Sequence, residues 1–217
     1  MSDISFDYRT GTELRNSKAY EFFKRLVDII GSLLGIVFLL PMFITISVLI
    51  KIEDWGPVFF KQARVGKEGK IFYMYKYRSM VITAEKYLAD LKDKNEADGP
   101  MFKIKNDPRI TRIGRVLRKT SLDEFPQLFN VLKGEMSLVG PRPALPKEVE
   151  EYEAWHRNRL LVLQGMTGLW QVSGRSRLTF DQMVELDLEY IRRRSLLFDF
   201  IIMARTIPAV FGSGDAY

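Results

Sequence analysis

The chain has 217 residues, which suffices for one domain with a hydrophobic core, or for a membrane anchor and one compact domain, and argues against two full soluble domains. It contains no cysteine and a single histidine, His156, which excludes disulfide scaffolds, thiol nucleophiles and histidine-clustered metal sites. Acid–base chemistry must therefore use carboxylates. The formal charge of +6 indicates an anionic partner such as a lipid headgroup, a nucleotide or a nucleic acid.

The first predicted elements form a membrane segment. Apolar residues at helical spacing from Lys18 to Asp28 are typical of an interfacial helix, which leads into an uncharged, apolar run from Ile29 to Ile50. Lysine and arginine residues flank this run on both sides, so the positive-inside rule places both flanks on the cytoplasmic side. Lys24 and Arg25, in the first flank, are expected to face lipid headgroups.

Pro41 lies near the middle of the apolar run, where it removes a helical hydrogen bond and predicts a bend. The limb from Ile29 to Leu40 would rise only ~18 Å, against a hydrocarbon core of ~30 Å. Charge and proline alone leave two interpretations open. One is a helix that breaks and returns to the same leaflet, and the other is a kinked transmembrane helix.

A β-hairpin is predicted next, with strands over Val58–Gln62 and Ile71–Tyr77 and a glycine-rich turn over Gly66–Gly69. Its aromatic residues and Trp55, interleaved with basic residues, suit a belt at the level of the lipid headgroups, although a nucleic-acid platform or a solvated sheet face fits the same pattern. The basic residues of this belt are Lys61, Arg64, Lys67 and Lys70.

Two further helices are predicted towards the carboxyl terminus. One covers Thr83 to Lys94. The other is a long amphipathic element from about Phe180 to Phe211, which either lies on the bilayer surface or packs on the core. The expected fold class is therefore α+β and mostly helical, with a small β-hairpin and interfacial amphipathic helices.

A basic segment precedes a pair of adjacent acids. Its basic residues, with Asp107 as the one acid among them, are Lys103, Lys105, Arg109, Arg112, Arg115, Arg118 and Lys119. On a helix, Arg112, Arg115 and Lys119 share one stripe, opposite an apolar side. Such a stripe is typical of a phosphate-binding surface, and equally of a solvated helix face.

Asp123 and Glu124 follow this segment directly. Ser121 and Glu124 fit a capping box, but that register places Pro126 inside the helix, where its missing N–H costs a hydrogen bond. A helix that begins near Asp123 avoids this cost. The helix dipole and Arg118 would then keep both carboxylates ionised, which suits a nucleophile or a magnesium ligand that faces a pyrophosphate.

Two arginines stand in conformationally restricted segments. Arg142 lies between Pro141 and Pro143 in an extended turn, which is a suitable way to hold a phosphate clamp. Arg175 follows a glycine-rich stretch that begins at Gly165, and such loops are as often structural turns as binding sites. The combination of acids, arginines and a membrane segment favours phosphate chemistry at a membrane.

Together these motifs resemble the bacterial sugar transferase family, the monotopic polyprenyl-phosphate phosphoglycosyl transferases. The motifs, which extend from about Tyr20 to Phe211, are Lys24-Arg25-x-x-Asp28, Gln62-x-Arg64-x-Gly66, Lys76-x-Arg78-Ser79-Met80, Asp107-Pro108-Arg109, Arg118-x-x-Ser121-x-Asp123-Glu124-x-Pro126-Gln127, Asn130-Val131, Gly134-x-Met136-Ser137-x-Val139-Gly140-Pro141-Arg142-Pro143 and Trp170-Gln171-Val172-x-Gly174-Arg175. The chain departs from the family where Leu40-Pro41 replaces a common Ser-Pro and Gln164-Gly165 replaces a common Pro-Gly.

The resemblance implies a re-entrant membrane helix broken at Pro41, with both ends cytoplasmic. It also implies that Asp123 attacks the β-phosphate of a UDP-sugar and releases UMP, after which polyprenyl (undecaprenyl) phosphate displaces the sugar phosphate from the enzyme. Mg²⁺, with Asp123 and Glu124 as its ligands, would offset the pyrophosphate charge. Glu124 would act as a metal ligand or proton acceptor, and the expected phosphate- or nucleotide-binding residues are Arg118, Arg142 and Arg175.

The implied organisation is an extension over residues 1–19, an interfacial and re-entrant helix over 20–52, and a cytoplasmic, membrane-associated catalytic domain over 53–217. The resemblance implies that the chain is the minimal catalytic form of the family, that it lies at the bacterial inner membrane and that it acts in the first membrane step of polysaccharide or glycoconjugate synthesis. The expected partners are the UDP-sugar, polyprenyl phosphate and membrane lipids, without nucleic acid, and a homodimer is allowed. The alternatives are another magnesium-dependent lipid phosphotransferase and a membrane-tethered nucleic-acid-binding module.

Overall fold

The computed structural model describes residues 4–6, 13–15, 18–84, 86–87, 104, 107–174 and 178–212. Helices dominate this part of the chain, which confirms the predicted mostly helical α+β class. The α-helices are α1 (Lys18–Asp54), α2 (Arg112–Lys119), α3 (Gln127–Lys133), α4 (Pro146–Glu150), α5 (Leu169–Ser173), α6 (Phe180–Arg193) and α7 (Leu196–Gly212).

The strands form three two-stranded sheets in the described ranges. They are β1 (Ile4–Phe6) with β2 (Glu13–Arg15), β3 (Phe59–Val65) with β4 (Ile71–Tyr77), and β5 (Ser137–Val139) with β6 (Gly165–Thr167). The β3–β4 pair is the predicted hairpin. The parallel β5–β6 pair was not predicted, and it requires glycine, because a Cβ atom at Gly165 would lie 2.0 Å from the Gly140 nitrogen.

Helix α1 presents two different faces. Its buried residues recur at helical spacing along one side, and they are Lys24, Asp28, Ser32, Phe43, Ile46 and Ile50. The rest of its surface carries large exposed apolar side chains, namely Phe22, Phe23, Leu26, Ile30, Leu33, Leu34, Val37, Phe38, Leu40, Ile44, Val48, Leu49 and Ile52. By length and composition α1 is able to cross a membrane, and only 17% of its most apolar window is buried in the protein. Exposed apolar surface of this extent is typical of a membrane contact.

Helix α1 is one helix with Pro41 inside it, so its helical conformation is not interrupted at this residue, and the bend expected there stays a prediction. Proline removes one backbone hydrogen bond, which is a local loss, while its fixed φ angle is itself helical. The Thr45 hydroxyl donates a hydrogen bond to the Pro41 carbonyl oxygen at 3.0 Å, and the Ser47 hydroxyl donates one to the Phe43 carbonyl oxygen at 2.7 Å. Packing on both sides of Pro41 keeps the two halves of α1 helical.

Both halves of α1 contact the same domain. Near the amino-terminal end, the Asp28 carboxylate accepts hydrogen bonds from the Ser137 hydroxyl at 3.1 Å and from the Leu138 N–H at 3.0 Å. Near the carboxyl-terminal end, the Glu53 carboxylate accepts from the Arg112 N–H at 2.7 Å. The contacts therefore extend over most of the length of α1.

The prediction that Lys24 and Arg25 face lipid headgroups is wrong. Lys24 is 8% exposed, and its ammonium group lies 3.4 Å from Asp28 and 3.2 Å from Asp199 of α7. Arg25 donates to the Val131 and Leu132 carbonyl oxygens at 2.6 and 2.8 Å. These carbonyls end α3, where the helix dipole favours a cation, so both side chains bind protein groups.

The predicted long carboxyl-terminal helix is two helices. Ser195 separates α6 from α7, because its hydroxyl accepts a hydrogen bond from the Phe198 N–H at 3.2 Å, as residues at the start of a helix do. The helix predicted from Thr83 to Lys94 falls largely outside the described residues, and residues 82–84 form a turn.

Asp28→Ala tests the polar attachment of α1. The substitution removes the acceptor for Ser137 and Leu138 and leaves Lys24 with one buried partner instead of two. We expect a loss of about 3–5 kcal/mol in the free energy of unfolding, measured by denaturant unfolding in detergent micelles. Glu189→Ala, which removes an exposed pair with Arg193 within one helix, is the matched control and should cost at most about 1 kcal/mol. Equal losses in both variants would show that the buried network does not hold α1.

Candidate active site

The adjacent acids lie on a tight turn between α2 and α3. Ser121 adopts a left-handed conformation, with φ of 55°, and a 3₁₀ turn follows over Leu122–Glu124. The Ser121 side chain makes no capping hydrogen bond, so the capping box does not form. Helix α3 begins only at Gln127, which is later than predicted. Pro126 is the residue that precedes its first turn, where the missing N–H costs no helical hydrogen bond.

Glu124 is paired with a lysine from the hairpin. The Lys76 ammonium group of β4 lies 2.6 Å from the Glu124 carboxylate, whose side chain is 37% exposed. Burial alone would raise the pKa of Glu124, but the charges of Lys76, Arg142 and Arg64 outweigh it and lower the pKa. Glu124 is therefore a carboxylate that stays ionised and is open to solvent on one side.

Asp123 lies in a different environment, at 7% exposure. Burial raises its pKa to about 6, and the negative charge of Glu124 adds to this, while Lys76 and Arg118 oppose it. The sequence-based expectation that a helix dipole and Arg118 favour the ionised form of both carboxylates therefore gave the wrong direction of the pKa shift for Asp123, although a pKa of about 6 leaves this carboxyl group mostly ionised at neutral pH. Desolvation is the dominant effect there, since the turn buries the side chain and α3 begins beyond it.

Arg118 is held beside the acidic turn by α2. The Arg118 Nε atom donates to the Ser79 hydroxyl at 2.9 Å. Burial lowers the pKa of Arg118, and the negative charge of Asp123 opposes this effect. Gly114 allows this approach, because a Cβ atom there would lie 2.0 Å from the Ser79 carbonyl oxygen. Arg118 therefore lies within electrostatic reach of Asp123, as predicted from its place in the basic segment.

Arg64 supports the turn that carries Arg142. It is 4% exposed, and its guanidinium group donates to the Pro143 carbonyl oxygen at 3.0 Å. The neighbouring Val65 N–H donates to the Ala144 carbonyl oxygen at 2.9 Å, so β3 holds the proline-flanked turn at two points. The prediction of Arg64 in a headgroup belt is wrong. Burial lowers its pKa to about 10, helped by the charge of Arg142, and Arg64 remains a cation at neutral pH.

Arg142 lies on the solvent side of the same turn. Its side chain is 32% exposed and is 3.8 Å from the Glu148 carboxylate. Its charge also lowers the pKa of Glu124, which places it in the group of cations around the acidic pair. Arg175 lies outside the described residues.

Asn130 fixes α3 against the hairpin. Its side-chain oxygen accepts from the Tyr75 N–H at 2.9 Å, and its amide donates to the Tyr73 carbonyl oxygen at 2.8 Å. Lys76 is the next residue of β4. The hydrogen bonds between the buried Asn130 side chain and the backbone of β4 therefore fix the position of Lys76 relative to the acidic turn.

The structure thus brings together Asp123, Glu124, Arg118 and Arg142, and it adds two cations that sequence reasoning did not single out as site residues. These are Lys76 and Arg64. A signal for Lys76 existed, because strand alternation places it on the same side of β4 as Phe72 and Met74, which are buried. A lysine in such a position requires an anionic partner.

The acidic pair suits a metal ion that is shared with a substrate. Magnesium is commonly held by one or two carboxylates together with substrate phosphates. Asp123 and Glu124 supply such carboxylates, and Glu124 is exposed on one side. Among the described residues, no group of three or more acidic, histidine or cysteine side chains forms a metal cage made of protein alone.

Comparison with known proteins agrees with these motifs. The family described as bacterial sugar transferase matches residues 19–213. Among the relatives, the galactosyl transferase CpsE of Streptococcus agalactiae is 46% identical, over 88% of this chain and 43% of the relative. The undecaprenyl-phosphate galactose phosphotransferase of Salmonella typhimurium is 42% identical, over 92% of this chain and 43% of the relative.

The exopolysaccharide production protein ExoY of Sinorhizobium fredii is 39% identical, over 89% of this chain and 88% of the relative. The chain therefore spans less than half the length of the first two relatives and most of the third. Since the family match covers nearly the whole chain and includes the acidic turn and its arginines, the protein belongs to the bacterial sugar transferase family.

Proposed function

We propose that the protein transfers a sugar 1-phosphate from a UDP-sugar to polyprenyl phosphate, with release of UMP, in the first membrane step of polysaccharide or glycoconjugate synthesis. The observation that carries this proposal is the buried Asp123 beside an ionised Glu124, within a group of cations that adjoins an apolar helix. The names of two relatives, which refer to galactose transfer and to undecaprenyl phosphate, support the same class of reaction. We propose a hexose as the class of sugar.

The site acts at the cytoplasmic face of the bacterial inner membrane. Elements of one domain contact α1 near both of its ends, through Asp28 and through Glu53. This supports a helix whose ends lie on the same side of the bilayer, with the exposed apolar face of α1 immersed in one leaflet. The flanking lysines and arginines support the cytoplasmic side.

The reaction proceeds in two displacements. In the first, a carboxylate oxygen of Asp123 bonds to the β-phosphorus of the UDP-sugar, and the bond from that phosphorus to the bridging oxygen breaks. UMP leaves with the bridging oxygen, and an aspartyl phosphosugar remains. In the second, a phosphate oxygen of polyprenyl phosphate bonds to the same phosphorus, and the Asp123 carboxylate leaves.

The cations around the turn would stabilise the negative charge of the phosphate groups that meet there in both displacements. Lys76 lowers the pKa of Glu124, and Arg118 and Arg142, whose charges act on the acidic pair, would bind the phosphates of the donor. Asp123 and Glu124 would hold Mg²⁺ together with the pyrophosphate oxygens, and a bound Mg²⁺ supplies further charge neutralisation. Arg175 is proposed, from the motif alone, as a further nucleotide or phosphate contact.

Asp123→Asn removes the nucleophile and preserves the size of the side chain. Wild-type protein mixed with UDP-sugar, without acceptor, should release UMP in a burst that is stoichiometric with enzyme. The variant should lose the burst and at least about 10³-fold in steady-state rate, with unchanged unfolding. Asp181→Asn, at a side chain that is 66% exposed, is the control and should keep both. Near-normal turnover in Asp123→Asn would rule out the covalent route.

Lys76→Met should lower the rate of UMP release by roughly 10–100-fold, because the substitution leaves the acidic pair without its nearest cation. Lys76→Arg should restore most of the activity, since the charge is kept. Lys61→Met, on the exposed part of β3, is the matched control and should behave as wild type. A full rate in Lys76→Met would mean that the ion pair has no part in the reaction.

The metal-free protein should show an unusual titration at Asp123. Its folded-state pKa is raised to about 6, so the carboxyl group ionises as pH rises from about 5 to about 7. The ¹³C signal of its carboxyl carbon, assigned with Asp123→Asn, reports this directly. Lys76→Met should move the midpoint to higher pH, because Lys76 lowers the Asp123 pKa. A midpoint near the ordinary value of about 3.9 would contradict the role of burial.

A further inference from the structure

An apolar groove runs beside α1, between this helix, β3 and α3. Its volume is about 280 Å³, and its lining residues are Ile36, Leu40, Phe43, Ile44, Ser47, Val48, Phe59 and Phe129. Ser47 is the one polar residue of this lining, and its hydroxyl donates to the Phe43 carbonyl oxygen at 2.7 Å. The groove therefore presents hydrocarbon surface and no charged group, which suits an uncharged hydrocarbon chain.

The groove and the acidic turn share one hydrophobic cluster. Phe43, which lines the groove, belongs to this cluster with Tyr77, and Leu122 and Phe125 pack against it. These two residues immediately flank Asp123 and Glu124 in the sequence. The groove therefore lies next to the cluster that supports the acidic turn.

The groove is also open to the lipid-facing surface of α1. Leu40, Ile44 and Val48 line the groove, and each is about half exposed. They belong to the continuous exposed apolar surface of the helix. The groove is therefore continuous with the surface that contacts the bilayer.

We propose that this groove binds the phosphate-proximal isoprene units of the polyprenyl phosphate acceptor, and this inference rests on the proposed function. The acceptor joins one hydrocarbon chain to one phosphate. The groove lies between the lipid-facing surface and the cluster that supports the acidic turn, beside which Lys76 and Arg118 match the phosphate charge. The apolar lining excludes the sugar and the nucleotide, and it directs the acceptor phosphate to Asp123.

Val48→Trp fills the groove from α1, and Val37→Trp is the matched control. Val37 is 64% exposed on the same helix and does not line the groove. With a long-chain polyprenyl phosphate, Val48→Trp should raise the acceptor KM at least tenfold, while the acceptor-free UMP burst stays as in wild type. With a single-isoprene phosphate the two variants should differ less. Val37→Trp should match wild type throughout.

A polyprenyl phosphate with a photoreactive diazirine in its second isoprene unit provides an independent test in nanodiscs. Labelling of peptides that contain Ile44, Val48 or Phe129, reduced by excess unlabelled acceptor, is the expected result, and it decides the question even if Val48→Trp is unstable. Labelling confined to exposed residues of α1 that do not line the groove and lie on another face of the helix, such as Phe38 and Leu49, would overturn the inference. So would labelling of the groove by a diazirine phospholipid that excess acceptor fails to displace, since the occupant would then be a bilayer acyl chain.

The two proposals fail differently. If wild-type protein releases no UMP from any UDP-sugar, the proposed function is wrong. If the burst is normal but Val48→Trp leaves the acceptor KM unchanged and the diazirine labels elsewhere, the proposed function stands and the acceptor groove is wrong.

Discussion

The structure depends on the balance between desolvation and positive charge at one buried carboxylate. The turn that carries Asp123 removes its carboxyl group from water, which raises its pKa. Lys76 and Arg118 oppose this effect from two different elements, the hairpin and α2. A carboxylate that is poorly solvated yet close to ionisation is well suited to attack phosphorus, because little water must be removed before it reacts.

Helix α1 and the acidic turn pack against the same hydrophobic cluster. The hydrophobic cluster that anchors the second half of α1 also supports the acidic turn, through Phe43, Tyr77 and Leu122. The first half of α1 is tied to α7 and β5 by Lys24 and Asp28. The position of Asp123 relative to α1 is therefore set by packing. This arrangement suits a reaction between a soluble donor and a lipid acceptor.

Much of the fold was predictable from local pattern. The apolar run of α1, the hairpin around Gly66–Gly69 and the amphipathic helix α2 all follow from periodicity and turn residues within one segment. The grouping of the acidic pair with Arg142 was predictable because their spacing matches a family motif. Each of these signals lies in a short stretch of sequence.

The errors have a common physical cause, since each depends on contacts between residues distant in sequence. Lys24 was expected at the lipid surface, but its partner Asp199 is far along the chain. Arg64 was assigned to the headgroup belt, but it holds the turn at Pro143. The pKa of Asp123 was assigned the wrong direction because its burial comes from several elements. The local sequence shows which side chains are charged, but it does not determine whether they are buried, because burial depends on residues that are distant in the sequence.

In the proposed reaction, Asp123 itself carries the sugar phosphate between the two substrates. Peptide mapping by mass spectrometry, after rapid acid quenching of the protein with UDP-sugar alone, tests this most directly. We expect a mass increase equal to one hexose phosphate on the peptide that contains Asp123, and this increase should disappear when polyprenyl phosphate is added before quenching. A modification at another residue, or product formed at the normal rate without any adduct, would contradict it.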